Sequence, residues 1–171
     1  EFRDGTPFSR YFEDEEGAEH DPFYCFMEVE WSSTSEAGKL ELSELVGENH
    51  GFDTVKPTRL VKTLLQSCTG KDDLILDFFG GSGTTAQAVM ELNKADDGCR
   101  KYILVQIPEL TDENSGAYRA GFKKISDITI ARTKRVVERI QAEAAEADAK
   151  ADAQAAGEDV VDADFEEIDD D

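Results

Sequence analysis

Asp77-Phe78-Phe79-Gly80-Gly81-Ser82-Gly83-Thr84-Thr85 is the stretch whose reading decides the fold. It follows the short apolar run Leu74-Ile75-Leu76, leads into helix-spaced residues from Thr84 to Asn93, and is followed by a second apolar run, Tyr102 to Ile107. Strand, glycine turn, helix, strand is the pattern of a right-handed βαβ unit. Continuous apolar strands fit a parallel sheet covered on both faces. The expected fold class is therefore α/β, doubly wound. In that architecture ligands bind beyond the carboxyl ends of the strands, which places Asp77–Thr85 and Gln106–Glu109 at one shared site.

Three glycines in four residues let the backbone turn tightly and leave bare peptide for a ligand to lie against. The helix that follows offers unpaired amides suited to a carboxylate or phosphate. A phosphate-binding P-loop needs a lysine after its last glycine, where this loop has Thr84. A dinucleotide fingerprint needs glycines at the first, third and sixth places, which this spacing does not supply. Both are set aside.

Outward from the loop, Phe23 to Trp31 is aromatic and apolar enough for a strand, and Glu36 to Val46 has helical spacing with Ser35 as its cap. Pro57 suits the first turn of a helix whose apolar face is Leu60, Val61, Leu64, Leu65 and Cys68. Gly70-Lys71-Asp72-Asp73 is a turn, and a long helix through Arg119 to Ala147 closes the pattern. Residues 148–171 are mostly Ala, Asp and Glu, too poor in large apolar side chains to offset their ordering entropy. They are expected to form a disordered acidic tail, either simply solvated or docking an acidic-hydrophobic motif around Phe165 onto a partner.

The formal net charge of -21 argues at first against a nucleic-acid partner. Residues 1–60, however, carry 15 acidic and 5 basic groups, 61–140 carry 11 and 12, and 141–171 carry 13 and 1, so the acidity sits in the flanks. Cys25, Cys68 and Cys99 lack any paired metal or redox spacing, and with only His20 and His50 beside them no metal site is expected. No run approaches the roughly 20 apolar residues of a membrane span, and the start lacks signal-peptide order, so no membrane role and a cytoplasmic location are expected.

The loop resembles the first motif of S-adenosylmethionine-dependent amino-methyltransferases acting on DNA. Phe52-Asp53-Thr54-Val55-Lys56-Pro57 followed by Leu60 is similar to the Phe-x-Thr-Pro-Lys-Pro motif of one circularly ordered class, with Val55 in place of the first proline. Leu92 through Glu109 resembles the modification subunits of type III restriction–modification systems, and Ile125–Ile128 and Arg132–Ile140 resemble their following helix. The likeness runs over about residues 31–140. It implies a partial Rossmann-like methyltransferase fold and an adenine-specific DNA methyltransferase with S-adenosylmethionine as cofactor. Its implied partners are DNA, a restriction (helicase/nuclease) subunit and a second copy of itself. Thr54, Lys56, Pro57, Asp77, Phe78, Phe79, Gly80, Ser82, Gly83, Thr84 and Thr85 are the implied cofactor residues. Ser82 and Thr84 either bond the cofactor's carboxylate or cap the following helix. Either Gln106 or Glu109 would hold the ribose hydroxyls.

The resembled family grips a flipped-out adenine with an Asp/Asn-Pro-Pro-Tyr/Phe tetrapeptide. Asp21-Pro22-Phe23-Tyr24 is close in letters, making Asp21 and Tyr24 catalytic candidates against a strand-entry role. Only 31 residues separate Tyr24 from Lys56, too few for the recognition region that the class places between them, so the catalytic motif is expected upstream of Glu1. The expected organisation is a flank over 1–50 joining a missing catalytic part, a cofactor region over 51–147, and the tail. The chain alone is expected to be an incomplete enzyme. Arg119, Lys123, Lys124, Arg132, Lys134, Arg135 and Arg139 form the densest basic cluster; Arg132, Arg135 and Arg139 are its candidate DNA contacts. A methyltransferase for cytosine amine or RNA, and a non-catalytic interaction protein retaining the fold, are the alternatives. The spread of acidic residues also suggests a halophilic source.

Overall fold

The computed structural model describes residues 2–3, 6–7 and 29–158. Strands β1 (Phe2–Arg3) and β2 (Thr6–Pro7) pair antiparallel. Helices α1 (Val29–Ser32), α2 (Ser35–Val46) and α3 (Thr58–Cys68) follow. Then come β3 (Leu74–Asp77), α4 (Thr84–Asp96), β4 (Lys101–Leu104), α5 (Gly116–Arg119) and α6 (Ile125–Glu158). Two compact units divide the chain, Glu1–Val136 and Val137–Asp171.

In the first unit β3 and β4 pair in parallel, Leu74 opposite Lys101 through Asp77 opposite Leu104, with α4 as the crossover. The expected βαβ unit is present. Ile75 packs with Leu65 of α3 and Ala88, Val89 and Leu92 of α4, flanked by Val61 and Tyr102. Helical spacing brings 88, 89 and 92 onto one face, and truncating fully buried Leu92 to alanine costs about 2–5 kcal/mol. A second cluster, Leu42, Val55 and Ile128 with Phe52, Phe122 and Ile125, fastens the segment before α3 between α2 and the start of α6.

Coverage of the sheet on both faces is not what the structure shows. Leu74, Leu76, Ile103 and Val105 are 45–60% exposed. Side chains alternate along a strand, so among the described residues the helices cover only the face of Ile75 and Tyr102. What stands is a mixed helix and sheet domain with a small parallel sheet.

Four local expectations are corrected. Val29–Ser32 is a helical turn against α3, not the end of a strand, because β-branched and aromatic residues follow context over propensity; residues 23–28 lie outside the described residues. The cap of α2 is Thr34, whose Oγ1 accepts the amide of Ala37 at 3.2 Å, rather than its neighbour Ser35. The long helix starts at Ile125, not Arg119, because the Asp127 carboxylate accepts the amides of Lys123 and Lys124, each at 2.9 Å, and so ends the preceding turn. Finally, residues 148–158 are helical rather than structureless. In the second unit this stretch is rich in Ala, whose intrinsic propensity favours helix without burial, and residues 148–152 and 154 are exposed. Among the described residues no helix is long and apolar enough to cross a membrane.

Candidate cofactor site

The glycine loop leaves the carboxyl end of β3 and is closed by its own side chains. Asp77 Oδ1 accepts the amide of Phe79 at 2.9 Å, and Oδ2 accepts the Thr85 hydroxyl at 2.6 Å. The half-buried carboxylate thereby joins the strand end to the first turn of α4. The amide of Gly80 donates to Val105 at 3.0 Å and that of Gly81 to Gln106 Oε1 at 2.7 Å, binding the loop to the end of β4. The two strand ends expected to share a site lie side by side.

Gly83 has φ +83°, a left-handed conformation that side chains disfavour. A Cβ there would also lie 3.3 Å from Thr129 Cγ2 and from the Thr129 carbonyl. Both constraints belong to the protein's own packing. Phe78 and Phe79 are 62% and 83% exposed, a large apolar surface at the mouth of the loop.

The Phe52–Pro57 segment meets the loop from the other side. The Thr84 hydroxyl donates to the carbonyl of Lys56 at 3.2 Å. Pro57 is buried, while Thr54 and Lys56 are exposed. Sequence reading missed why this segment can lie so close to α2: a Cβ on Gly38 would stand 2.4 Å from the Val55 carbonyl oxygen and 2.8 Å from Pro57 N. A glycine in a helix interior costs about 1 kcal/mol against alanine, and that cost was the available signal. His50, 1% exposed, anchors the near end of the segment by accepting the Phe52 amide on Nδ1 at 3.1 Å. Its Nε2 then donates to Ser43 Oγ at 3.2 Å. Burial, with the positive charges of Lys39 and Arg132, holds its pKa below the ordinary imidazole value.

Arg132 is not at the surface. It is fully buried, so its assignment as a DNA contact is corrected: the helix turns this side chain inward beneath the loop. Its Nε donates to Gln87 Oε1 at 2.8 Å, one terminal nitrogen to Ser82 Oγ at 3.1 Å and Thr84 Oγ1 at 2.9 Å, and the other to Thr58 Oγ1 at 3.1 Å. Glu41 lies 3.7 Å away and accepts both the amide and the hydroxyl of Thr58, at 3.0 and 2.6 Å. The Ser82 and Thr84 hydroxyls therefore face Arg132. Gln106 also turns inward, its amide nitrogen donating to Ile107 O at 3.3 Å. The side chain borders a cavity of about 550 Å³ between β4 and α6 that Leu104 and Thr129 help to line. Glu109 is exposed, and its carboxylate accepts no hydrogen bond from the described residues. Arg135 is exposed in the first unit, and Arg139 lies 3.9 Å from Glu143 in the second. Asp21 and Tyr24 lie outside the described residues. No group of three metal-ligating side chains gathers among the described residues.

A family model described as DNA methylase matches residues 9–110, more than half of the chain. The chain belongs to the DNA methylase family. Over 110 residues it is 44% identical to the Mod subunit of the type III restriction-modification enzyme StyLTI from Salmonella typhimurium, an alignment covering 64% of this chain and 17% of that protein. The EcoPI Mod subunit from Escherichia phage P1 is 44% identical over 104 residues, 61% of this chain and 16% of its own. The type II methyltransferase M.KpnI from Klebsiella pneumoniae is 41% identical over 105 residues, 60% and 25% of the two chains. The chain thus spans about a sixth of the first two relatives and a quarter of the third. The resemblance to type III modification subunits read from the motifs is borne out.

Proposed function

We propose that this chain carries the S-adenosylmethionine-binding part of a site-specific DNA methyltransferase that modifies the exocyclic amine of adenine. The observation that supports it most is the Thr84–Lys56 hydrogen bond, because it joins the two separated segments that the resemblance assigns to the cofactor. The residues present fit such a ligand. The amides of Thr84, Thr85 and Ala86 open α4 without backbone acceptors among the described residues, and so suit the amino-acid carboxylate. Phe78 and Phe79 offer apolar surface to the adenosine, and Asp77 a negative charge to the ammonium group.

Since Gln106 is engaged by Gly81, the ribose diol falls to Glu109, which has two free acceptors. Ser82 and Thr84 serve through the backbone, their hydroxyls being held by Arg132. When bound, the cofactor supplies an electrophilic methyl group; this chain's part is to hold and orient it. In the intact enzyme the exposed sheet face would be buried within a larger doubly wound sheet. DNA would be met in part by Arg135 and Arg139, and the partners would include a restriction subunit and a second copy. The test is methyl transfer from labelled S-adenosylmethionine to DNA by the intact enzyme, followed by nucleoside analysis. N6-methyladenine is expected. N4-methylcytosine would favour the cytosine reading, and no transfer by folded enzyme would contradict both.

A further inference from the structure

We propose that Arg132 is a positioning residue for cofactor binding, a buried fork that sets the glycine loop and the Lys56-Pro57 segment in register with each other. The inference rests on the cofactor reading above and goes beyond it, since Arg132 is fully buried and touches no ligand surface. Its acceptors are not scattered. Thr58 directly follows Lys56-Pro57, Ser82 and Thr84 belong to the loop and the start of α4, and Gln87 lies one turn into α4. One planar guanidinium, with donors in fixed directions, therefore ties together segments that lie 74, 50, 48 and 45 residues away in sequence.

The same network reaches the second segment by another route. Thr84 passes from Arg132 to the carbonyl of Lys56, and Glu41 of α2 holds Thr58 by both its amide and its hydroxyl. A shift of the fork would therefore move both walls of the site relative to one another. Buried cations demand such satisfaction, because an unpaired one is costly away from water. No described buried side-chain nitrogen or oxygen here lacks a partner. A single ammonium group cannot reproduce this geometry, having three donors at one point instead of five on a rigid fork.

The experiment compares wild type, Arg132→Lys and Thr58→Val in the intact enzyme, by thermal melting, calorimetric S-adenosylmethionine affinity, and the KM values for cofactor and for DNA. Arg132→Lys is expected to weaken cofactor binding by about tenfold or more and to raise the cofactor KM in step, leaving the DNA KM within about twofold. Thr58→Val, which removes one acceptor of the fork, should weaken cofactor binding by about threefold or more. If Arg132→Lys does not fold, Thr58→Val decides alone. Folded variants that bind cofactor as wild type does would overturn the proposal and leave the cofactor reading standing. Equal loss of cofactor and DNA parameters, matching the unfolded fraction, would reduce Arg132 to a structural role and also overturn it. Wild type failing to bind S-adenosylmethionine would overturn the cofactor reading itself, and this inference with it.

Discussion

The hydroxyl of Thr84 donates to the carbonyl oxygen of Lys56 across 28 residues of sequence, so the first residue of α4 is fastened to the last turn of chain before α3. Around this bond the loop, the segment before α3 and the buried Arg132 form one connected piece of structure.

Gly83→Val is expected to destabilise the fold and abolish cofactor binding. Its left-handed φ and the 3.3 Å approach of Thr129 make the cause protein strain rather than intrusion into ligand space. The expected destabilisation is about 1–3 kcal/mol, read from the shift in a urea unfolding midpoint. Unchanged stability together with lost binding would return the cause to the ligand.

Gly38→Ala should be harmful although alanine ordinarily strengthens helices. The added Cβ would sit 2.4 Å from the Val55 carbonyl oxygen, and backbone must move to admit it. A loss of about 1–3 kcal/mol is expected, together with weaker cofactor affinity as the Val55–Pro57 segment is displaced. Denaturant melts and calorimetry check both, and a gain in stability would show that the segment can yield without cost.

Stability should fall as pH drops below about 6.5, the ordinary imidazole value. His50 has its pKa lowered in the fold by burial and by Lys39 and Arg132. The unfolded chain therefore takes up the proton first, and the stability present above the unfolded value is lost as pH falls toward the folded one. Protonation would also cost Nδ1 its ability to accept the Phe52 amide. Comparing urea midpoints of wild type and His50→Gln at neutral and mildly acidic pH isolates this contribution, since the variant should show a shallower decline.

How much of this was legible in the sequence follows from the range of each interaction. The βαβ unit could be read because its signals are local: an apolar run ending on Asp77, glycines, helical spacing after Thr84, and another apolar run. The start of α3 was legible in Pro57 for the same reason. Arg132 was misread because a charged residue beside Lys134 and Arg135 looks like part of a basic surface, and only the turn of α6 shows that it faces inward. Glu41, Thr58 and Gly38 went unnoticed because their partners lie 17 or more residues away, where periodicity carries no information. The uncovered face of β3 and β4 could not be foreseen either, since an apolar strand reads alike whether or not its second face is covered.

Salt separates two accounts of the acidity. If the excess of Asp and Glu is an adaptation to concentrated salt, a chain ending near Ile140 should melt at higher temperature as potassium chloride rises from low to molar concentration. The reason is that screening shortens to about 3 Å at 1 M and relieves repulsion among carboxylates. A flat or falling melting temperature would leave the acidic bias without a salt explanation.

The central claim, that S-adenosylmethionine binds where the glycine loop meets the Phe52–Pro57 segment, is tested most directly by amide hydrogen exchange in the intact enzyme with and without the cofactor. Added S-adenosylmethionine should slow exchange in peptides covering residues 52–58, 78–87 and 106–109 together, and leave those of the 141–158 helix unchanged. Protection elsewhere with these three segments unaltered, in enzyme shown by calorimetry to have bound the cofactor, would contradict the account.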